Sequence, residues 1–357
     1  MTTSKIGAGE AYTVIQAWEN DTDVDSSPWV GIIQDNANFD ETITFAGGTG
    51  TPDITNHVRL EVASGVRGLG VAGAGARVDN TSAATSAILI SSNFVHIKDL
   101  EVTRSGAGPG SSDEAIRLSD GVTDILLEKL LIHTALTNAD MDGVYLGNNI
   151  DADVTLLDCL IYGWPRAGIQ LQNTNSGSSV TATINADFVS IYGCGTAGET
   201  ESGAIEVRLA GTTSSAFINI RNSAMMDTAS TYDDWALNTG ETKTDYVCDS
   251  NITSDSSQDS RDADVEDVIT NKLQNKSIAN VWTDAANGDF TVVASGDADA
   301  AGADLSGSKA DSRGDYTTDI AGTTRHATTP SIGAFEIAAA GGSIAPRAHH
   351  HRQQMAA

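Results

Sequence analysis

Four carboxylates, Asp113, Glu114, Asp140 and Asp142, are the residues of this chain whose types and spacing could do chemistry. They fall as two pairs about one sequence repeat apart. An inverting glycoside hydrolase needs two carboxyl groups roughly 6.5–9.5 Å apart, one as acid and one as base. Neighbouring strands stacked about 4.8 Å apart can supply that separation. Arg117, Arg166 and Arg208 could line the same sheet, where a lyase would need a base together with a group that neutralises a uronate. Against this stands simple turn chemistry, because Asp beside Gly at a bend is usually there to make the bend. The favoured reading assigns no catalytic residue.

Metal binding fares no better. Asp21, Asp23 and Asp25 alternate as at the start of an EF-hand loop, but the sixth position is Ser26 and the twelfth is Ile32, where that loop needs Gly and Glu. An acidic, solvated turn is the better account, and no cofactor is expected. His57, His96, His133 and His326 are scattered and read as hydrogen-bonded structural residues. Neither a nucleophile elbow, a phosphate-binding loop nor a dinucleotide fingerprint is present.

The elements that would position these groups come from a repeat. Five short apolar runs open at Ala87, Ala115, Gly143, Gly168 and Gly203, spaced 28, 28, 25 and 35 residues apart. Each opens with a small residue. Five further runs close the units, starting at Val95, Ile125, Val154, Ala182 and Phe217. A β-rich unit of this period cannot bury its apolar face alone and must stack on its neighbours. Helical patterns between the runs are absent, and the loops are too long and variable for hairpins, which disfavours a doubly wound sheet and an antiparallel sandwich. The expected fold is all-β, a right-handed parallel β-helix with a short N-terminal helical cap and a C-terminal closing segment.

By this reading residues 1–83 form the cap and first strands, 84–255 the β-helix coils, 256–337 the C-terminal coils and closing segment, and 338–357 an Ala/Gly-rich basic tail. Within the first part, Tyr12 to Glu19 has Val14, Ile15 and Trp18 at helical spacing. Strands are expected at 29–33, 41–45 and 57–62. Late strands are expected at 288–293 and 331–336, and a weakly helical patch around 265–273.

Composition narrows the function. With 48 acidic and 20 basic residues the formal charge is −28, which repels phosphate backbones and excludes sequence-independent nucleic-acid binding. No stretch is apolar enough to span a bilayer, so membrane insertion is not expected. Cys159, Cys194 and Cys248 show no metal-ligand spacing. The N-terminus lacks an apolar secretion signal, and synthesis in a host cytoplasm is expected.

Two segments resemble a known group. Residues 6–19 (Ile-Gly-Ala-Gly-Glu-Ala-Tyr-Thr-Val-Ile-Gln-Ala-Trp-Glu) look like the opening of many phage-encoded β-helix proteins. The closing stretch, with Gly288-Asp-Phe, Ala301-Gly-Ala-Asp, Asp311-Ser-Arg-Gly, Arg325 and Ser331-Ile-Gly-Ala-Phe-Glu, is similar to the terminal coil of right-handed β-helices of the pectate-lyase-like superfamily. Asn138 to Gly143 faintly resembles the Asn-Thr-Asp-Gly of polygalacturonases, but the Gly-His-Gly and Arg-Ile-Lys segments of that family are missing. The resemblance implies a virion structural protein (capsid decoration, head fibre or tail spike) acting as a homotrimer. Its partners would be other virion proteins, reached through either end of the chain, and possible host surface glycans. The alternative it leaves is a glycan-binding or glycan-depolymerising spike, a polysaccharide hydrolase or lyase.

Overall fold

The computed structural model describes residues 2–21, 28–46, 51–81, 85–106, 114–137, 140–147, 151–173, 181–195, 202–209, 215–226, 234–237, 244–258 and 268–338. Three long sheets of ten, eight and seven strands run side by side, and every strand pair in them is parallel. The fold is a right-handed parallel β-helix. One coil shows the path: Val122–Glu128 in the ten-stranded sheet, a corner at Lys129, Leu131–Thr134 in the eight-stranded sheet, then Asp142–Leu146 in the seven-stranded sheet. Ala152–Leu157 then begins the next coil, paired with Val122–Glu128.

Each sheet turns one column of aliphatic side chains inward. Ile88, Ile116, Val144, Ile169 and Ile205 stack in register on the seven-stranded sheet. Val78, Val102, Ile132, Ile161, Ile191 and Met225 do so on the eight-stranded sheet. All are buried in one continuous core. Each such side chain contributes about 1.5–3 kcal/mol by leaving water, and only stacking makes that burial possible.

The small residue that opens each unit has a steric cause. Register aligns Ala87, Ala115, Gly143, Gly168 and Ala204 in one column. A Cβ on Gly143 would lie 2.5 Å from the Gly168 carbonyl oxygen, and one on Gly168 would lie 2.6 Å from Ile191 Cγ2. The fifth unit is offset by one from the sequence reading, because Gly203 pairs with Ala167 and Ala204 takes the column position.

A third strand per coil was not evident in the sequence. Between the ten- and eight-stranded sheets the chain turns at Asp99, Lys129, Asp158, Phe188, Asn222 and Ser250, all left-handed with φ between +50° and +61°. The corner amides continue the ladder: Lys129 N donates to Leu157 O (2.8 Å), Asp158 N to Asp187 O (3.0 Å) and Phe188 N to Arg221 O (3.0 Å). A left-handed non-Gly residue costs about 1–2 kcal/mol, and the unbroken hydrogen-bond ladder through the corner offsets it.

The N-terminal helix is present as Ile15–Asn20, shorter than expected, with Val14 outside it and exposed. Its first amides, Ile15 N and Gln16 N, donate to the Glu41 carboxylate at 2.8 and 3.0 Å, so a distant acid caps the helix in place of a local side chain. Trp18 is buried against Phe45 and over Gly31, where a Cβ would collide with the indole at 2.6 Å. Strands occur at Trp29–Ile33, Ile43–Phe45 and Val58–Val62, as expected, and they already belong to the same three-sheet stack.

The C-terminal quarter departs from expectation. Val268–Thr270 is a strand, the last of the ten-stranded sheet, where the sequence suggested weak helix. Trp282–Asp284 and Asp289–Val292 form an antiparallel hairpin. Its Trp282 and Phe290 pack on Tyr162 and Tyr192, with Leu131, Leu160 and Met226 buried in the same cluster. Residues 331–336 are not a strand. Residues 296–337 instead run back along the outside of the coils as a strap. Asn222 Nδ2 donates to Ala303 O (2.7 Å), Tyr316 OH to Asp187 (2.7 Å), Lys129 Nζ to Asp315 (3.0 Å) and Ala334 N to Ser190 Oγ (2.9 Å). Arg325 bonds Asp158 and the Ser331 and Gly333 carbonyls, with its guanidinium 3.8 Å from the centre of the Phe188 ring. The physical reason is plain in the strands themselves: Leu130-Leu131-Ile132 and Leu160-Ile161 are apolar on both faces, and the outer face needs a cover.

Candidate functional site: a buried charge cluster on the seven-stranded sheet

On the outer face of the seven-stranded sheet, one polar side chain per strand stands in register: Arg117, Tyr145, Gln170 and Glu206. A second row lies three residues upstream of Arg117 and Tyr145, at the strand entrances. Because Ile116 pairs with Val144, Glu114 lies opposite Asp142, and Ala115 N donates to Asp142 O (3.1 Å). Arg166 enters beside them, its amide bonded to Met141 O (3.1 Å).

Glu206 is the hub. Gln170 Nε2 donates to its Oε2 at 2.6 Å and Arg166 Nε at 3.3 Å, while Arg208 Nε lies 2.6 Å from Oε1. Ser86 Oγ donates to Glu114 Oε2 (2.9 Å), Tyr145 OH to Gln172 Oε1 (2.9 Å), and Arg117 sits over the Tyr145 ring. Asp142 Oδ1 and Gln170 Oε1 are buried with no hydrogen-bond partner. Glu114, Asp142 and Glu206 are each 1% exposed.

Burial pushes the Asp142 carboxyl well above the usual carboxylate range; Arg166 opposes this, and Glu206 and Glu114 add to it. Burial also raises Glu206, against the pull of Arg166 and Arg208. Tyr145 is pushed up to about 12, by burial first and then by Glu114. The cluster can therefore hold a proton on Asp142 where an exposed Asp would have lost it. Folded Asp142 binds a proton that the unfolded chain releases above about pH 4, so the native state is favoured at low pH and loses that contribution as pH rises toward the folded pKa. Urea midpoints should fall as pH rises above about 4, where Asp142 ionises in the unfolded chain but keeps its proton in the folded one, and Asp142→Asn should flatten the slope. An unchanged slope in that variant counts against the assignment.

The structure brings together Glu114 and Asp142 but leaves Asp140 exposed beside them. Asp113 lies outside the described residues, as do Asp23 and Asp25. Asp21 is exposed and accepts a bond from Tyr12 OH (2.9 Å). Arg117, Arg166 and Arg208 do line this sheet. Gln170 and Glu206 were missed, and the available signal was their place in the second outward position of the fourth and fifth opening runs.

The histidines sit elsewhere. His96 bonds Glu128 and His133 bonds Glu101, each at 2.9 Å, and His133 stacks on Tyr162. The three cysteines are buried and unpaired in disulfides, and burial pushes the Cys159 and Cys194 thiols up to about 12. Among the described residues no three His, Cys, Asp or Glu stand where they could share a metal ion. No helix among those residues is long and apolar enough to cross a membrane.

No family model matches the chain, and no curated protein matches it. Several solved structures are similar in architecture. A pectin methylesterase from Aspergillus niger is 11% identical, with 77% of this chain and 86% of that one covered and a TM-score of 0.42. A pectin methylesterase in complex with a hexasaccharide is 13% identical over 71% of this chain and 79% of that one, again at 0.42. The pectin methylesterase PemA from Erwinia chrysanthemi is 10% identical over 78% and 91%, at 0.35. No residue role passes from those enzymes to this chain.

Proposed function

We propose that this protein is a non-catalytic structural rod of a virion, the capsid-decorating, head-fibre or tail-spike type, working as side-by-side copies. The observation that carries the reading is the closure of the charge cluster. Glu114 and Asp142, which could serve as an acid–base pair, are 1% exposed, and the neighbouring Glu206 is knitted to Arg166, Arg208 and Gln170, an arrangement that braces coils together. Ten strands at about 4.8 Å give a stiff body about 43 Å long. Mass spectrometry of particles purified from cultures that produce the chain should recover it as a stoichiometric component. Particles without it sink the reading.

A second reading has one observation in its favour. A carboxyl kept protonated by burial beside further carboxylates is how a general acid is prepared at neutral pH, and polysaccharide hydrolysis is the chemistry such a pair would perform. Release of reducing ends from polysaccharide, abolished by Asp142→Asn, is the result that would put this reading first.

A further inference from the structure

The outer face of the ten-stranded sheet carries a second polar surface. A cleft of about 180 Å³ opens there beneath residues 310–312 of the strap, lined among others by Ile54, Asp124, Asp153, Thr155, Asn185 and Asp311. Thr155, Asn185 and Asn219 pair strand to strand and form one outward column leading out of it. Asn219 Nδ2 donates to Asn185 Oδ1 (2.8 Å) and Asn185 Nδ2 to Thr155 Oγ1 (3.4 Å). Each amide keeps a second hydrogen to give, and Asn219 Oδ1 keeps its acceptor capacity. Phe217, two residues before Asn219 on the same face, is 41% exposed. Asp124 and Asp153 accept no side-chain bond from another described residue, although Asp153 is half-buried.

The chemistry of the occupant follows by elimination. No three of these groups can share a metal ion. Asp311 is paired with Arg313, whose guanidinium bonds both of its carboxylate oxygens, and the two remaining carboxylates, Asp124 and Asp153, repel a uronate, a phosphate or a sulfate. What remains is a neutral molecule rich in hydroxyl donors, with an apolar ring face to lay on an aromatic side chain. Adjacent strands repeat at about 4.8 Å, close to the length of one hexose ring, so the column offers one polar side chain per sugar.

We propose that this surface binds a neutral oligosaccharide. A terminal sugar enters the cleft and donates hydroxyls to Asp153 and Asp124. The following sugars meet the Asn185 and Asn219 amides, and the Phe217 ring lies against a C–H face. The site is distinct from the buried cluster and does not depend on the chain being part of a virion.

The full chain should be titrated, by NMR or calorimetry, with hexamers of glucose, mannose and galactose, and with hexagalacturonate as the acidic counterpart. At least one neutral hexamer should bind with a Kd on the order of 1 mM or tighter, and hexagalacturonate should not bind. Asp153→Asn, Asn219→Ala and Phe217→Ala should each weaken binding about tenfold with no change in melting temperature, since none of the three is a core residue. Three results overturn the proposal: no neutral hexamer bound at about 10 mM, binding indifferent to all three variants, or preference for hexagalacturonate. A chain that is absent from particles yet binds sugar in this way would sink the structural reading and leave the site standing.

Discussion

Arg325→Ala should cost this protein about 3–5 kcal/mol and release the strap. Arg325 is 3% exposed, and its guanidinium holds Asp158, the Ser331 and Gly333 carbonyls and the Phe188 ring at once. Truncation strands the fully buried Asp158 carboxyl and two carbonyls, and leaves Glu336 without the cation 3.6 Å away. Urea denaturation should show the loss, and limited proteolysis should show cleavage within 296–337 before the coils open. Asp158→Ala should cost a similar amount. The double variant should lose clearly less than the two added together, because each single change leaves the other partner buried and uncompensated. Strict additivity, or a strap that stays protected in Arg325→Ala, would contradict this account.

Gly143→Val should be as damaging, for a different reason. The added Cβ meets the Gly168 carbonyl oxygen at 2.5 Å, with Ile161 and Trp164 at 3.0 and 3.2 Å behind it. The first obstacle is backbone in a sheet and has nowhere to go. Overpacking of this kind costs about 1–3 kcal/mol where side chains can shift, and the upper end or beyond applies here. Ala115, in the same column, is fully buried with its Cβ in place, so Ala115→Gly should cost only about 1 kcal/mol. Urea midpoints of the two variants measure the contrast. Equal stability for Gly143→Val and the parent chain would remove the steric explanation of the small opening residues.

That column shows how far the sequence could be read. The repeat of small residue plus apolar run gave the stacking unit, because one-dimensional spacing maps directly onto one coil. The corner at Asp99, Lys129 and Asp158 escaped, since the apolar runs continue straight through it and the Asp and Asn that favour a left-handed turn alternate from coil to coil with Lys129, Phe188 and Ser250, which do not. The strap escaped too. Its anchors pair residues 129 with 315 and 158 with 325, separations that no local pattern encodes. At the candidate site Glu114 and Asp142 were legible as neighbours from the repeat. Their burial, and the hub role of Glu206, depend on the packing of five strands and on arginines that the repeat alone left unassigned.

The strap also alters how the rod should come apart. A plain solenoid melts from its ends, since each coil answers only to the next. Here a single peptide segment is bonded to residues 129, 158, 187 and 222, in four successive coils. It acts as a splint: no bridged coil can fray without tearing the splint from the others. Unfolding of that stretch becomes all-or-none, and a load applied along the axis is shared across the coils instead of peeling them away one at a time.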